Sequence, residues 1–326
     1  MKSIKKVMIM LLCLCMMLSL VACGGSNSSS DASNGAKHIK IAYQGGIGYA
    51  PVHVMEVKNL IQENYDGEIT VEFVKLDAGA AINEGIIGGT IDIGCMGLAP
   101  AISGVSAGIP YKLISNLCAQ SHGLMSNDAS ITSLADIASE DKIALVSTGS
   151  IQHLLLAMAA EKELGDAHAL DHNIQNMSHA EGMASLESGT VSLHLTSSPF
   201  IYQERANSNF VELSEINEVW PSGNSFLVAM ASTALSEDEA LFNAVSAAFA
   251  QAIEFINNNP EETAEIESQY LSLDIETVKS YLAEPDCQYF PELRGAETMA
   301  QFMHRAGFIE NEVTIDQLKY EGVSGN

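Results

Sequence analysis

Apolar positions along this chain follow two periods in turn. The run Ile39-Lys-Ile-Ala-Tyr43 reads as a short strand, and beyond a glycine-rich turn Val52, Met55 and Leu60 fall at near-helical spacing. Ile69-Thr-Val-Glu-Phe-Val74 alternates as a second strand. The helix predicted near Ala80 to Ile87 stops at Gly88-Gly89, where a left-handed turn suits glycine. Thr90-Ile-Asp-Ile-Gly-Cys-Met96 predicts a third strand feeding a helix near Ala101 to Ala107, and Tyr111 to Asn116 predicts a fourth. After a polar segment at Gln120 to Ser130 the cycle restarts. Ile143 to Val146 is a strand, Ser147-Thr-Gly-Ser150 a turn and Ile151 to Leu164 a helix, with another helix near Ala180 to Glu187. Strands alternating with helices at this spacing indicate α/β architecture with mainly parallel sheets.

The second cycle echoes the first. Gly88-Gly-Thr-Ile-Asp-Ile-Gly-Cys-Met-Gly-Leu-Ala-Pro100 and Ser188-Gly-Thr-Val-Ser-Leu-His-Leu-Thr-Ser-Ser-Pro199 share one plan: helix end, Gly-Thr, strand, small-residue turn, proline. Ile41 and Ile143 are 102 residues apart and Thr90 and Thr190 are 100 apart, nearly one period, so two similar lobes are expected. The remainder reads differently. Ser236-Glu-Asp-Glu239 has the form of a capping box opening a helix to about Asn258, with Leu241, Val245, Phe249, Ile253 and Ile256 on one face. Pro260 starts another helix, and further helices fit Ile275 to Ala283 and Ala296 to Ala306 before Gly307. This all-helical tail is expected to pack back on one lobe.

Composition narrows the function. Of 326 residues, 47% are apolar, enough for a substantial core, and 41 acids against 15 Lys and Arg give a net charge of −26. Nucleic acid is excluded as a partner, because phosphate binding needs a basic surface. Lys2, Lys5 and Lys6 precede an apolar run from Val7 to Leu20, too short for a membrane span, and together they read as a signal segment over residues 1–22. Leu20-Val-Ala-Cys23 resembles a bacterial lipobox, which implies lipidation of Cys23 and anchoring at the outer face of the cytoplasmic membrane. Residues 23–36, rich in Gly, Ser and Asn, read as a flexible tether. Of the remaining cysteines, Cys95, Cys118 and Cys287 lack any CxxC spacing. Buried free thiols are expected, with one disulfide left open.

Candidate chemistry gathers at the strand exits. In open α/β sheets, ligands bind beyond the carboxyl ends of the strands, near free amides at helix N-termini. The exits here are Gln44, Gly45, Gly46, Gly48 and Tyr49; Asp77 to Ala80, with Gly79; Met96 and Gly97; Ser147, Thr148, Gly149 and Ser150; and Thr196, Ser197 and Ser198. Two such rims facing each other would form a cleft for a small anionic or strongly polar ligand. The three rims at Gly46 to Tyr49, Ser147 to Ser150 and Thr196 to Ser198 contain no Arg or Lys, so an anion would be held by amides and hydroxyls, and a neutral ligand stays in play. Gly45-Gly-Ile-Gly lacks the Lys-Ser/Thr of a phosphate loop, and Pro51 breaks the dinucleotide spacing. His168, His172 and His179 are read as surface residues, with only the first pair at helix-face spacing and no metal constellation. No Gly-x-Ser-x-Gly elbow or assembled Ser, His and Asp set supports nucleophilic catalysis. No cofactor, metal or catalytic residue is assigned.

Three stretches together carry a resemblance: Ile41-Ala-Tyr-Gln-Gly-Gly-Ile-Gly-Tyr-Ala-Pro51, the segment from Gly88 to Pro100, and His194-Leu-Thr-Ser-Ser-Pro-Phe200. With the lipobox and the Phe255-Ile-Asn-Asn-Asn-Pro260 helix junction, they resemble the nitrate/sulfonate/taurine class of solute-binding proteins of ABC importers. The resemblance implies a type II periplasmic-binding fold: lobe 1 from 37–118 plus 228–326, lobe 2 from 119–227, a hinge between them, and the helical tail on the first lobe. It implies a monomeric, lipid-anchored extracytoplasmic receptor that delivers an oxyanion, a sulfonate or a polar organic solute to a permease and its ATPase. Tyr43 or Tyr49 would pack on the apolar part of the solute. A neutral pyrimidine or other aromatic precursor is the alternative ligand. An enzyme using His122 or Asp77, or a sensor lipoprotein on the same fold, are the rival classes.

Overall fold

A computed structural model describes residues 37–326; the expected signal segment, Cys23 and the tether lie outside the described residues. The first lobe begins with β1 (Lys37–Tyr43), β2 (Ile69–Lys75), β3 (Ile93–Gly97) and β4 (Tyr111–Ala119). The chain then enters a second sheet made of β5 (His122–Ser126), β6 (Ile143–Leu145), β7 (Ile174–Asn176), β8 (Leu193–Ser197) and β9 (Val211–Leu213). It returns through β10 (Leu227–Ser232) and later adds β11 (Gln288–Tyr289) to the first sheet. The sheet orders are β11-β4-β10-β3-β1-β2 and β7-β6-β8-β5-β9. Apart from β11 the two orders correspond strand for strand, which is the physical form of the sequence echo.

Both sheets are mixed rather than mainly parallel. β1 runs parallel to β2 and β3, and β6 runs parallel to β7 and β8. β10 is antiparallel to β3 and β4, and β5 is antiparallel to β8 and β9. β10 and β5 are the strands flanking the crossings between sheets, so each enters its sheet from the opposite side. The segment expected to be polar, Gln120 to Ser130, therefore holds a fully buried strand, His122–Ser126. Small and polar residues there hid a central position from a reading based on hydrophobic runs.

Helix boundaries follow local chemistry. The first predicted helix divides into Ala50–Lys58 and Leu60–Asn64 because Asn59 adopts a left-handed conformation, φ 51°. Ser236 is not the cap of the long helix: it ends a short helix, Thr233–Ser236, and Asp238 accepts from Leu241 N to start Glu239–Asn258. The tail packs on the first lobe, with Glu239–Asn258 against Ala50–Lys58 and Leu60–Asn64. It is not wholly helical, since β11 extends the first sheet, and it also touches the second lobe. Arg305 Nη2 meets Glu161 Oε2 at 2.7 Å, and the Tyr202 and Tyr281 rings lie 4.8 Å apart.

One main core spans both sheets, and a second, smaller cluster around Met125, Leu186 and Ile201 lies against the second sheet. Ile41, Ile93, Leu113, Leu145, Leu193 and Val228 are fully buried, each contributing roughly 1.5–3 kcal/mol relative to exposure. Cys95, Cys118 and Cys287 are buried and free, and burial pushes the Cys287 thiol up to about 12. No helix among the described residues is long and apolar enough to cross a membrane.

Candidate functional site

Turns after β1, β2 and β3 of the first lobe and after β6 and β8 of the second line one cavity of about 610 Å³. The rims nearly touch. Gly46 sits at φ 130°, ψ 160°, a conformation essentially reserved for glycine, and a Cβ there would lie 3.4 Å from Ser198 O on the other lobe. A Cβ at Gly97 would meet the Ile151 side chain at 3.2 Å. The two lobes therefore stand in a closed arrangement around the cavity.

Gln44, Gly45, Gly46, Tyr49, Gly79 and Gly97 line it from the first lobe, and Ser147, Thr148, Gly149, Ser150, Ser197 and Ser198 from the second. Gly48, Met96 and Thr196 do not. Met96 and Thr196 each precede a lining residue by one position on β3 and β8, so the alternation of a strand turns their side chains into the core, both fully buried. Gly48 makes room instead of contact: a Cβ there would fall 2.4 Å from Gln120 Oε1. Tyr43 lines the cavity beside Tyr49, with ring centroids 6.2 Å apart, and the Tyr49 hydroxyl donates to Gln44 Oε1 at 3.1 Å.

The lining hydroxyls are less available than the sequence suggests. Ser150 Oγ accepts from His153 N, Ser198 Oγ donates to Ser121 O at 3.3 Å, and Thr148 Oγ1 donates to Asn176 Oδ1 at 3.3 Å. Other lining groups carry free polar atoms. Gln120 is buried and its Oε1 has no partner. Lys75, the last residue of β2, reaches over Gly45, where a Cβ would meet its Nζ at 3.0 Å, so the wall is not free of basic residues. Lys75 and Asp77 are the only Lys, Arg, Asp or Glu side chains lining the cavity among the described residues. Lys75 ends the same strand whose exit, Asp77 to Ala80, the sequence singles out, and it lies two residues before that stretch.

Of the three histidines expected at the surface, His168 and His172 are exposed and His179 is not. His179 lines the cavity, and burial, followed by the neighbouring His194, pulls it down to about 3, so it is neutral. His168 and His172 do not share a helix: His172 is in the single 3-10 turn Asp171–Asn173, and His168 lies in the turn after Ile151–Leu164, its ring bonded to Asp171 and to Ala306 O. His53, also on the wall, is buried with Nδ1 2.8 Å from Glu267 Oε1 and its ring stacked 3.8 Å from that of Tyr270. His122 lies behind the wall, stacked on Phe226 with Nδ1 3.0 Å from Gln120 O, and burial holds it below its ordinary value. Asp77 does line the cavity, and His122 does not.

The sequence pattern of the NMT1-like family matches residues 32–271, well over half the chain. No curated protein matches the sequence. Among solved structures, the periplasmic aliphatic sulphonate-binding protein SsuA of Escherichia coli superposes with TM-score 0.70 at 18% identity, covering 89% of this chain and 99% of that one. The alkanesulfonate-binding SsuA of Xanthomonas axonopodis pv. citri, bound to MOPS, gives 0.71 at 16% identity over 88% and 99%. The periplasmic nitrate-binding protein NrtA of Synechocystis PCC 6803 gives 0.66 at 13% over 86% and 84%. The chain thus belongs to the NMT1-like family, on the two-lobed α/β fold of periplasmic binding proteins.

Proposed function

We propose that this protein is the solute receptor of an ABC importer, held at the outer face of the cytoplasmic membrane through lipid on Cys23, capturing a polar organic solute between its lobes and passing it to a permease and its ATPase. The observation that carries this reading is the single cavity built from corresponding turns of two lobes, with Gly46 facing Ser198 O across the gap. The sulphonate- and nitrate-binding names of the structural relatives support the transport role. The lobes would divide at 37–118 plus 228–326 and 119–227, closing on the segments that join β4 to β5 and β9 to β10. The receptor would act as a monomer and would not be an enzyme. Its solute is an oxyanion-bearing or otherwise polar organic molecule.

The wall favours an organic body over a bare inorganic anion. A volume of about 610 Å³ falls in the range of pockets for drug-sized ligands. One Lys is matched by one Asp, and Tyr43, Tyr49, Phe200, Phe226 and Tyr270 supply flat apolar surface. The same observation keeps a neutral pyrimidine or related aromatic as the second reading. The test is thermal melting of the purified protein against sulfonates, nitrate and pyrimidines. A saturable rise with an organic member supports capture, and a panel and a cell extract that both leave melting unchanged would overturn it.

A further inference from the structure

A continuous chain of hydrogen-bonding groups runs from the cavity wall into the second lobe. Gln152 Nε2 and Ser197 Oγ both meet His179 Nε2, at 3.1 and 3.3 Å. His179 Nδ1 meets His194 Nε2 at 3.3 Å, and His194 Nδ1 meets Glu204 Oε1 at 2.6 Å. The chain opens on the cavity, which Gln152, His179 and Ser197 line, and ends in the interior, where the His194 and Glu204 side chains are fully buried and Glu204 Oε2 has no partner. Gly182 leaves the space for it, since a Cβ there would fall 2.5 Å from His194 Nε2.

A neutral imidazole has one donor and one acceptor nitrogen, so each link fixes the next. If Glu204 Oε1 accepts, His194 Nδ1 carries hydrogen, His194 Nε2 accepts from His179 Nδ1, and His179 Nε2 is left with a lone pair toward the cavity. If Glu204 Oε1 carries hydrogen and donates to His194 Nδ1, every link reverses and His179 Nε2 becomes an N–H. Until a solute displaces them from His179 Nε2, the cavity-side neighbours fit both polarities. Ser197 can donate or accept, and Gln152 can offer its amide nitrogen or, after rotation of the amide, its oxygen.

We propose that Glu204, acting through His194, sets whether His179 offers a lone pair or an N–H to the bound solute, which makes His179 a specificity-determining contact and His194 and Glu204 its positioning residues. This rests on the solute-binding reading above. With the carboxylate ionised the site selects a solute carrying an amino or hydroxyl hydrogen; with it protonated, a solute presenting an oxygen or ring nitrogen. Burial holds His194 as well as His179 neutral, each near 3, so tautomers rather than charges change along the chain. Burial, and then the Glu187 carboxylate, push Glu204 up to about 8. The other titratable groups on elements packed around Glu204 are His122 on β5 and Glu181 on His179–Glu187. Arg205, next in its own helix, is tied to Glu212 at 2.7 Å.

The decisive measurement is nitrogen NMR of the full chain labelled with ¹⁵N-histidine, from about pH 6.5 to about pH 10. His179 Nε2 is expected to pass from protonated to unprotonated with rising pH while Nδ1 does the reverse, and Glu204→Gln, which cannot ionise, abolishes the transition. A His179 tautomer that is the same at both ends overturns the proposal in the wild-type protein alone, as does a transition that survives in Glu204→Gln. The ligand side is read with 4-aminopyrimidine and 4-methylpyrimidine at the alkaline end. The amine is expected to bind about tenfold more tightly and to shift the His179 Nε2 resonance, with the preference lost in His179→Phe. Equal binding of the pair, or binding of neither, overturns the ligand assignment, while solute capture itself is judged by the wider melting panel.

Discussion

Each lobe aims helix N-termini at the cavity, and the two lobes finish them differently. In the first lobe, Gly79–Ile87 and Leu98–Ser106 begin at Ala78 and Gly97 with no side-chain cap. In the second, Ile151–Leu164 and His179–Glu187 begin at Ser150 and Ser178, whose hydroxyls accept from His153 N and Glu181 N, each at 3.3 Å. The second lobe thus engages one amide of each helix with its own serine, while the first lobe caps neither helix with a side chain, although Leu98 N is held by Phe226 O at 3.0 Å. A hydroxyl-rich sequence is not the same thing as a hydroxyl-rich cavity. Solute oxygens are expected on the first lobe, and the second lobe's reading of the solute falls to Gln152 and His179.

The turns at Gly46 and Gly149 give the strongest way to break this comparison. Gly46 at φ 130° faces Ser198 O, whereas Gly149 at φ 80° has open space where a Cβ would stand. Gly46→Val should strain the backbone by about 1–3 kcal/mol and wedge the rims apart, abolishing binding in calorimetry. Gly149→Asn should bind nearly as the wild type, because Asn tolerates the left-handed region and meets nothing. Equal losses in the two variants would mean that the rims do not differ as described.

The buried His–Glu pairs sharpen the contrast next. Each lobe has one beside the cavity, His53–Glu267 and His194–Glu204, and in each the second carboxyl oxygen has no partner. Burial raises both carboxyls, but the two environments differ: His53 pulls Glu267 back down, whereas the Glu187 carboxylate pushes Glu204 further up, to about 8. A carboxyl whose folded value is raised keeps its proton where the unfolded chain has lost it. Its stability contribution is therefore present below about 4.5 and is lost as pH rises through about 8. Glu204→Gln should be more stable than the wild type at about pH 9, by at most about 5 kcal/mol, the linkage limit for such a shift, with the gap closing toward pH 5. Glu267→Gln should gain less. Denaturant melts at the two pH values check both, and a larger gain for Glu267→Gln would reverse the ordering of the two sites.

Much of this architecture was legible in the chain because burial imposes period. The offset between Gly88–Pro100 and Ser188–Pro199 became the matched strands β3 and β8, and most of the glycines and serines at strand exits came to line one cavity. What stayed hidden lacked a local signature. β5 has too few large apolar residues to announce a buried strand, and β10 joins its sheet only after the chain has left and returned. Met96 and Thr196 were misplaced by one step of strand alternation. His179 reads as a surface residue, since its place on the wall depends on contacts with Gln152, His194 and Ser197 that no local pattern announces.

Removing a cap separates structure from recognition more finely. Ser178→Ala deletes a hydroxyl that accepts from Glu181 N while Glu181 Oε2 bonds back, so stability should fall by about 1 kcal/mol. Affinity for the solute should change less than about twofold, because that hydroxyl is already engaged. A cap removed without loss of stability but with a tenfold loss of affinity would make Ser178 a ligand contact and return the second lobe to the hydroxyl-lined rim expected from sequence.

The smallest effect addresses charge. Lys75 and Asp77 both lie on the first lobe, so whatever charge discrimination the cavity has comes from that side alone. Lys75 is exposed at the end of β2, where water and salt screen it, and an exposed charge of this kind contributes about 0.2–1 kcal/mol. Lys75→Met should leave melting unchanged and weaken a sulfonate about threefold, with the loss shrinking as salt is raised. A neutral pyrimidine should bind the variant as it binds the wild type. If the sulfonate is also indifferent to Lys75, backbone amides at the uncapped start of Gly79–Ile87 hold the anion unaided, and the asymmetry between the lobes is one of helix capping rather than of side-chain charge.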